Sequence, residues 1–351
     1  MSELVRVACN GQLLLDREWT GTNRAAFELI AHLQARADTE VTLQAFAPSR
    51  ARRDALRALF PFLKQTQFAV RAPLRTAPVQ WLWALLPFTR RFFFKTEDVY
   101  LAFGQHIPCG IREKRTFFIY DMVLARYPET MEAANRRKLR RTLRRSCRRA
   151  DRIFTISEAS RRDIVRYLGV PEEKLTVVPM AADRSLFRAD CPQEEIDACL
   201  AHFGLSQGYF LYLGTLEPRK NLLRLIEAYA ALRARCMPPV LVIAGKKGWQ
   251  YEALFAAVEQ KGLTHSVIFT GYVEDADVPL LMCGARAFVF PSYYEGFGMP
   301  PLEAMACGTP VMVSDAEALT EVVGDAGLTV PREDTAAMTE AMHALAFDDA
   351  L

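Results

Sequence analysis

Short runs of β-branched and aromatic residues alternate with helix-period segments along almost the whole chain. That alternation restricts it to an α/β architecture with parallel sheets, because parallel neighbours cannot be joined by a tight turn and each strand needs a crossover back over the sheet. One series of strand-like runs covers residues 5–9, 41–46, 99–103, 117–120, 153–156 and 175–178. A second opens at Tyr209 and continues with 240–244, 267–270, 287–290 and 311–314, each followed by a turn signal and a helix-period stretch. Two series in 351 residues predict two domains, each large enough for its own core. The stretch 179–192, with Met180, Asp183 and Asp190, has no strong periodicity and reads as the linker, so the expected domains are 1–182 and 183–351.

Charge changes sign at the same place. Through residue 180 there are 32 Lys and Arg against 18 Asp and Glu; beyond it there are 12 against 23, although the whole chain carries only +3. Net charges of +14 and −11 imply different partners for the two halves. A content of 51% hydrophobic and 24% charged residues excludes disordered, collagenous and disulfide-scaffold classes. The eight Cys form no CxxC pair and no Cys/His set at zinc spacing, so they read as buried thiols in a reducing compartment, and a cytosolic protein is expected. The start, MSELVRVACNGQLLL, lacks the pattern of an export signal. The aromatic stretch 79–88 stops at Arg90 and Arg91, short of the roughly 18–20 apolar residues that span a bilayer.

Two segments just after strands carry chemistry. Gly214 lets the chain turn after FLYLG, and Arg219 and Lys220 then stand before an amphipathic helix with Leu222, Leu225, Ile226 and Tyr229 on one face. Two cations there suit an anion that also feels the helix N-terminus. The plainer reading is a solvated basic pair, which the positive end of the helix dipole disfavours. The second segment, PSYYEGFGMPPLEAMACGTPVMVSD at 291–315, joins a strand end to Gly296 and Gly298, and then to Pro300 and Pro301, which are preset for a first helical turn. Glu295 in the loop and Glu303 in the first turn are paired acceptors suited to the hydroxyls of a sugar and a ribose. Taken singly, Glu303 would merely complement the helix dipole and Glu295 would be solvated, which leaves the glycines without a purpose.

The stretches EPRKN (217–221) and EGFGMPPLEAMACGTPV (295–311) resemble the signatures of the retaining nucleotide-sugar glycosyltransferases of family four, the glycosyl transferases group 1. Residues 148–179, 267–292 and 321–328 follow the same pattern. The resemblance implies a GT-B fold, in which two Rossmann-like domains face each other across a cleft, the second binding the nucleotide sugar and the first shaping the acceptor site. By matching position it implies that Arg219 and Lys220 neutralise the departing diphosphate and that Glu303 holds the ribose hydroxyls. Glu295, with the backbone of Gly296, Phe297 and Gly298, would contact the donor sugar and diphosphate, and the turn Gly271-Tyr272-Val273 would meet the nucleobase. Gly21, in WTGTNR (19–24), stands where the family has a Gly-rich loop near the diphosphate.

The chain departs from the pattern in two places. Tyr120-Asp121 occupies the usual His-Asp position beside the transferred sugar, and a phenol with a pKa of about 10 is a poor base near neutrality. His106, in FGQHIP, is a candidate to compensate, against the plainer reading of a structural histidine. The chain also stops after an amphipathic segment with Met338, Met342 and Leu345, so the helix with which family members cross back onto the first domain is expected to be missing.

No DxD pair suited to Mg²⁺ or Mn²⁺ follows a strand, so metal independence is expected, with no cofactor beyond the nucleotide-diphosphate sugar itself. Residues 136–152 place ten cations in seventeen positions around Leu139, Leu143, Cys147 and Ala150, a cationic amphipathic helix. No nucleic-acid module accompanies it, and nucleic acid is not an expected partner. With the aromatic-basic stretch 81–95, it suggests a peripheral contact with an anionic membrane and a glycan or lipid-linked acceptor; a solvated face and a core segment are the competing readings. The function expected is retaining transfer of a hexose, mannose first among candidates, in cell-surface polysaccharide synthesis. The alternatives are a non-catalytic nucleotide-sugar-binding protein and a GT-B sugar-nucleotide epimerase.

Overall fold

Each half of the chain builds its own parallel sheet. In the computed structural model, which describes residues 4–15, 21–47, 49–71, 82–83, 85–104, 106–130 and 133–348, two compact units separate. The first runs to Ile156 and includes Ser160–Val178; the second takes Ser157–Ala159 and the chain from Pro179 onward.

The first sheet holds β1 (Val5–Asn10), β2 (Thr39–Phe46), β3 (Phe68–Arg71), β4 (Val99–Ala102), β5 (Lys114–Phe118), β6 (Arg152–Thr155) and β7 (Leu175–Val177), in the spatial order β3-β2-β1-β4-β5-β6-β7. The second holds β8 (Tyr209–Leu213), β9 (Leu241–Ala244), β10 (Val267–Gly271), β11 (Ala285–Phe290), β12 (Val311–Ser314) and β13 (Leu328–Val330), in the order β10-β9-β8-β11-β12-β13. Among the described residues the strand pairings are parallel throughout. Strand order reverses between β1 and β4 and again between β8 and β11. Beyond the carboxyl ends of such strands the crossovers diverge to opposite faces and leave a crevice.

Two strands escape the periodicity argument. β3 and β13 have four and three residues and close sheet edges, where one ladder suffices and no long apolar run is needed. The strand expected over 117–120 instead ends at Phe118, which moves Tyr120 and Asp121 out of the sheet and into the loop beyond it.

In the second unit β9 and β12 are buried along their whole length, as strands covered on both faces must be. The helix Leu222–Arg233 buries Leu222, Leu225, Ile226 and Tyr229, the face read from the sequence. The helix Thr335–Phe347 adds Met338, Met342 and Leu345 to the same core, and the Thr339 hydroxyl donates to the carbonyl of Ala228 at 3.2 Å.

The strand ends β8, β9 and β10 are laced together at glycines. Gly214 N–H donates to Ala244 O (3.0 Å) and Gly245 N–H to Gly271 O (2.7 Å). Gly245 has φ +135°, and a Cβ on it would lie 2.0 Å from the carbonyl oxygen of Gly214. No side chain fits that gap. Gly245→Ala should therefore destabilise the second unit by about 3 kcal/mol or more, measured by denaturant unfolding, because both backbone strain and a backbone collision oppose it.

Candidate functional site

At the reversal of the second sheet, the loops after β8 and β11 meet. Pro218–Lys220 forms a single 3₁₀ turn, and Asn221 ends it in the left-handed conformation, φ 59°, which asparagine tolerates better than most residues. The buried Asn221 amide donates to Pro291 O (3.1 Å) and Arg332 O (2.8 Å), tying the turn to the loop after β11. Because this turn intervenes, Arg219 and Lys220 do not stand in the first turn of the following helix, which begins at Leu222.

Lys220 points inward. Its Nζ lies 5.0 Å over the ring of Phe290 and 2.6 Å from Glu295 Oε1. Arg219 reaches Glu295 Oε2 at 2.9 Å, Glu217 Oε1 at 2.6 Å and the carbonyl of Tyr294 at 2.6 Å. Glu295 is thus gripped through both oxygens, with 13% of its side chain exposed, and is not the solvated acceptor that its position alone suggests. Arg332 completes the support, donating to Tyr293 O and pairing with Asp315, each at 2.6 Å.

Burial by itself would raise the pKa of Glu295. The positive charges of Lys220 and Arg219 outweigh that and hold it down at about 2. On Lys220, burial is the leading influence and lowers the ammonium pKa, with Glu295 working against it. Glu217, Arg219, Lys220 and Glu295 together form a charge-balanced cluster, and moving any one of them changes its net charge by a full unit.

Gly298, φ 133°, heads the helix Met299–Ala306, and a Cβ there would lie 2.8 Å from Leu319. Pro300 occupies the first turn, as its fixed φ favours. Glu303 does not: the helix starts at Met299, so Glu303 falls in the second turn, largely buried, where complementing the dipole no longer explains it. Phe297 and Val273 are buried, whereas Tyr272 is 60% exposed.

The remaining candidates belong to the first unit. Gly21 opens the helix Gly21–Ala35, and no described residue would lie within 4 Å of a Cβ there. Tyr120 stacks on Phe118 at 5.4 Å, its carbonyl accepts from the Ser160 hydroxyl at 3.0 Å, and burial pushes its phenol pKa up. Asp121 Oδ1 accepts from Val123 N–H (3.0 Å) at the start of a short helix. His106 follows β4, and burial, aided by Arg149, lowers its pKa. Sequence reasoning missed Asn221, Arg332 and Gly245. Asn221 left a local signal, as a residue tolerant of left-handed geometry just before a helix, and so did Gly245, as the glycine that follows a strand-like run.

Two family models cover the chain, "Glycosyltransferase Family 4" over residues 19–186 and "Glycosyl transferases group 1" over 202–349. O-antigen chain mannosyltransferase B of Escherichia coli is 34% identical over 283 residues, which is 80% of this chain and 72% of that relative. The chain belongs to the family-four, group 1 glycosyltransferases. The serotype-specific mannosyltransferase WbdA of Escherichia coli is 35% identical over 179 residues, half of this glycosyltransferase but 22% of that longer protein. The crystal structure of Anabaena HepE in complex with UDP and glucose superposes with a TM-score of 0.72 at 20% identity, covering 99% of this chain and 91% of that one. The fold is GT-B.

The grip on Glu295 predicts an acid response. Its folded-state value lies below the ordinary 4.5, so the stabilisation is complete above pH 4.5 and is lost as pH falls toward 2. Glu295→Gln should flatten the stability of the second unit across that window. At neutral pH it should cost about 2–4 kcal/mol in chemical denaturation, because Lys220 and Arg219 lose their shared carboxylate.

Proposed function

We propose that this glycosyltransferase moves a hexosyl group, with mannose the first candidate, from a nucleotide-diphosphate sugar to a glycan or lipid-linked acceptor with retention of anomeric configuration. The setting we propose is cell-surface polysaccharide synthesis at the cytoplasmic face of the membrane. The observation that carries the donor side is the convergence of Arg219, Lys220 and Glu295 at the strand-order reversal of the second sheet, near the loop that leads into Gly298. Charge developing on the departing diphosphate is shared between Arg219 and Lys220, a preorganised electrostatic role that calls for no metal ion. The bond from the anomeric carbon to the diphosphate oxygen breaks, the acceptor hydroxyl oxygen bonds to the same face, and the hydroxyl proton goes to the diphosphate. Glu303 holds the ribose, the backbone of Tyr272 and Val273 meets the base, and Gly21 and Gly214 give the diphosphate close backbone approach. Tyr120, with its pKa raised, acts as a neutral hydrogen-bonding group beside Asp121 and not as a base.

The acceptor side rests on the first unit's positive charge. The helix Ala133–Arg149 buries Leu143 and Cys147, while Arg137, Arg140, Arg141 and Arg144, together with Met122 and Tyr167, line a cavity of about 630 Å³. Along 81–95 Trp83 and Phe94 are buried, whereas Leu82, Leu85, Leu86, Phe88 and Phe92 are exposed; the side chains of Trp81, Ala84, Pro87 and Arg91 lie outside the described residues. Buried Arg90 is held by Glu113 at 2.9 Å and is no part of the outer charge. An arginine-rich helix and, elsewhere on the unit, exposed aromatic and aliphatic groups are the two ingredients of a peripheral contact with anionic lipid. No helix among the described residues is long and apolar enough to cross a membrane.

A turnover assay with a panel of nucleotide sugars, reading free nucleotide and product configuration, tests the reaction. Arg219→Ala or Lys220→Ala should lower kcat about 100-fold or more, and Glu303→Ala should raise the donor KM about tenfold. Donor binding without transfer would favour a non-catalytic nucleotide-sugar-binding protein, and donor isomerised without an acceptor would favour an epimerase. On the membrane side, the protein should sediment with vesicles containing anionic lipid and be released by salt. Replacing Arg140, Arg144 and Arg148 by Gln should weaken that sedimentation; equal binding of this variant and the parent would leave the arginine run as a solvated helix face.

A further inference from the structure

Three of the eight cysteines, all free thiols, gather at the amino end of the second sheet, opposite the loops that carry Arg219 and Glu295. Cys283 lies in the last turn of the helix Val278–Gly284, just ahead of β11. Cys307 closes the helix Met299–Ala306 ahead of β12, and Cys191 stands on the irregular segment before the helix Gln193–Phe203. Their sulfurs converge on one residue of that segment. Cys191 and Cys283 both donate to the carbonyl of Arg188, at 3.3 and 3.4 Å, and Cys307 bonds the backbone of the same residue. Cys283 also donates to Cys191 Sγ at 2.7 Å and bonds Cys307.

The elements that carry these sulfurs are fixed by other bonds. The Tyr209 hydroxyl donates to Leu281 O and the Thr309 hydroxyl to Met282 O, each at 2.6 Å, which pins the turn holding Cys283. A Cβ on Gly308 would lie 3.1 Å from Ala189 Cβ, so the segment with Arg188 and Cys191 packs closely on the turn after Cys307. Unbonded heavy atoms ordinarily rest about 3.5–4.0 Å apart, and a disulfide measures about 2.05 Å, so the fold brings Cys191 and Cys283 most of the way to bonding distance. Both are half-buried and open to a small reagent, whereas Cys307 is 5% exposed. Among the described residues no set of His, Cys, Asp and Glu is placed to hold a metal ion. Burial pushes the Cys283 thiol up, and that of Cys307 up to about 11, so neither is a standing thiolate near neutrality and reaction starts at Cys191.

We propose that Cys191 and Cys283 are a redox modification site, closed to a reversible disulfide by exchange with a low-molecular-weight disulfide, RSSR. The Cys191 thiolate attacks one sulfur of RSSR and expels RS⁻; the Cys283 thiolate then attacks the Cys191 sulfur and expels the second RS⁻. Two protein thiols are oxidised, RSSR is reduced to two RSH, and the two protein protons end on the departing thiolates. The bond closes the chain from 191 to 283, a span that holds β8, β9, β10 and the Arg219–Lys220 turn. It thereby restricts the denatured chain of the second unit while lying at the far end of the sheet from that turn.

The test incubates the full, reduced chain with oxidised glutathione. Thiol titration after denaturation should find two of the eight thiols lost, and peptide mass spectrometry without reductant should find Cys191 joined to Cys283. The thermal midpoint should rise by about 5–10 °C and fall back on adding dithiothreitol. Cys191→Ser should lose both the crosslink and the rise, and Cys307→Ser should keep both. The crosslink is read on the parent protein, so the result stands even where a variant fails to fold. A parent that keeps all eight thiols, that carries glutathione without a crosslink, or that joins Cys283 to Cys307 instead overturns the proposal. So does a rise in midpoint retained by Cys191→Ser, which would place the effect of oxidation elsewhere in the chain.

Discussion

Glu295 is held between two cations, and much of the second unit's working surface is arranged around that grip. The carboxylate takes Lys220 on one oxygen and Arg219 on the other, and Arg219 also carries Glu217 and the Tyr294 carbonyl. Two loops far apart in sequence are thereby locked to each other at a strand-order reversal. The lock needs Asn221 to end the 3₁₀ turn in left-handed geometry and Arg332 to hold the other side of the loop after β11. A buried pair of this kind is weak evidence for stability taken alone, since desolvation offsets much of the attraction. Its value here is positional: the two cations are pinned near the entrance of the helix that begins at Met299.

The two sheets repeat one physical arrangement with different chemistry. Each reverses strand order beside its first strand, and each leaves a crevice beyond the carboxyl ends. In the second sheet charged groups fill the rim. In the first, the buried Arg90–Glu113 pair cancels its own charge. The excess positive charge of the first half is displaced to the helix Ala133–Arg149, whose inner face is pinned by Leu143 and Cys147.

Periodicity, the charge reversal near residue 180 and the Gly- and Pro-bearing segment 291–315 determined the class of fold, the division into two units and the strand ends at which chemistry gathers. These are local properties, since an apolar run buried on both faces and a glycine beside a helix start carry their meaning within a few residues. The edge strands β3 and β13 were not picked out by the pattern; β13 has the same three residues, LTV, as the edge strand β7, and only the sheet it joins distinguishes such a short run from a loop. Tertiary structure alone decided that Lys220 turns inward onto Phe290 and Glu295, that Glu303 lies in the second helical turn, and that Gly245 meets Gly214. It alone left the buried side-chain nitrogens of Gln44 and Trp83, 39 positions apart, without a partner among the described residues. Each of these depends on which partner a group meets across the fold, and partnership between residues dozens of positions apart has no periodic trace in the chain.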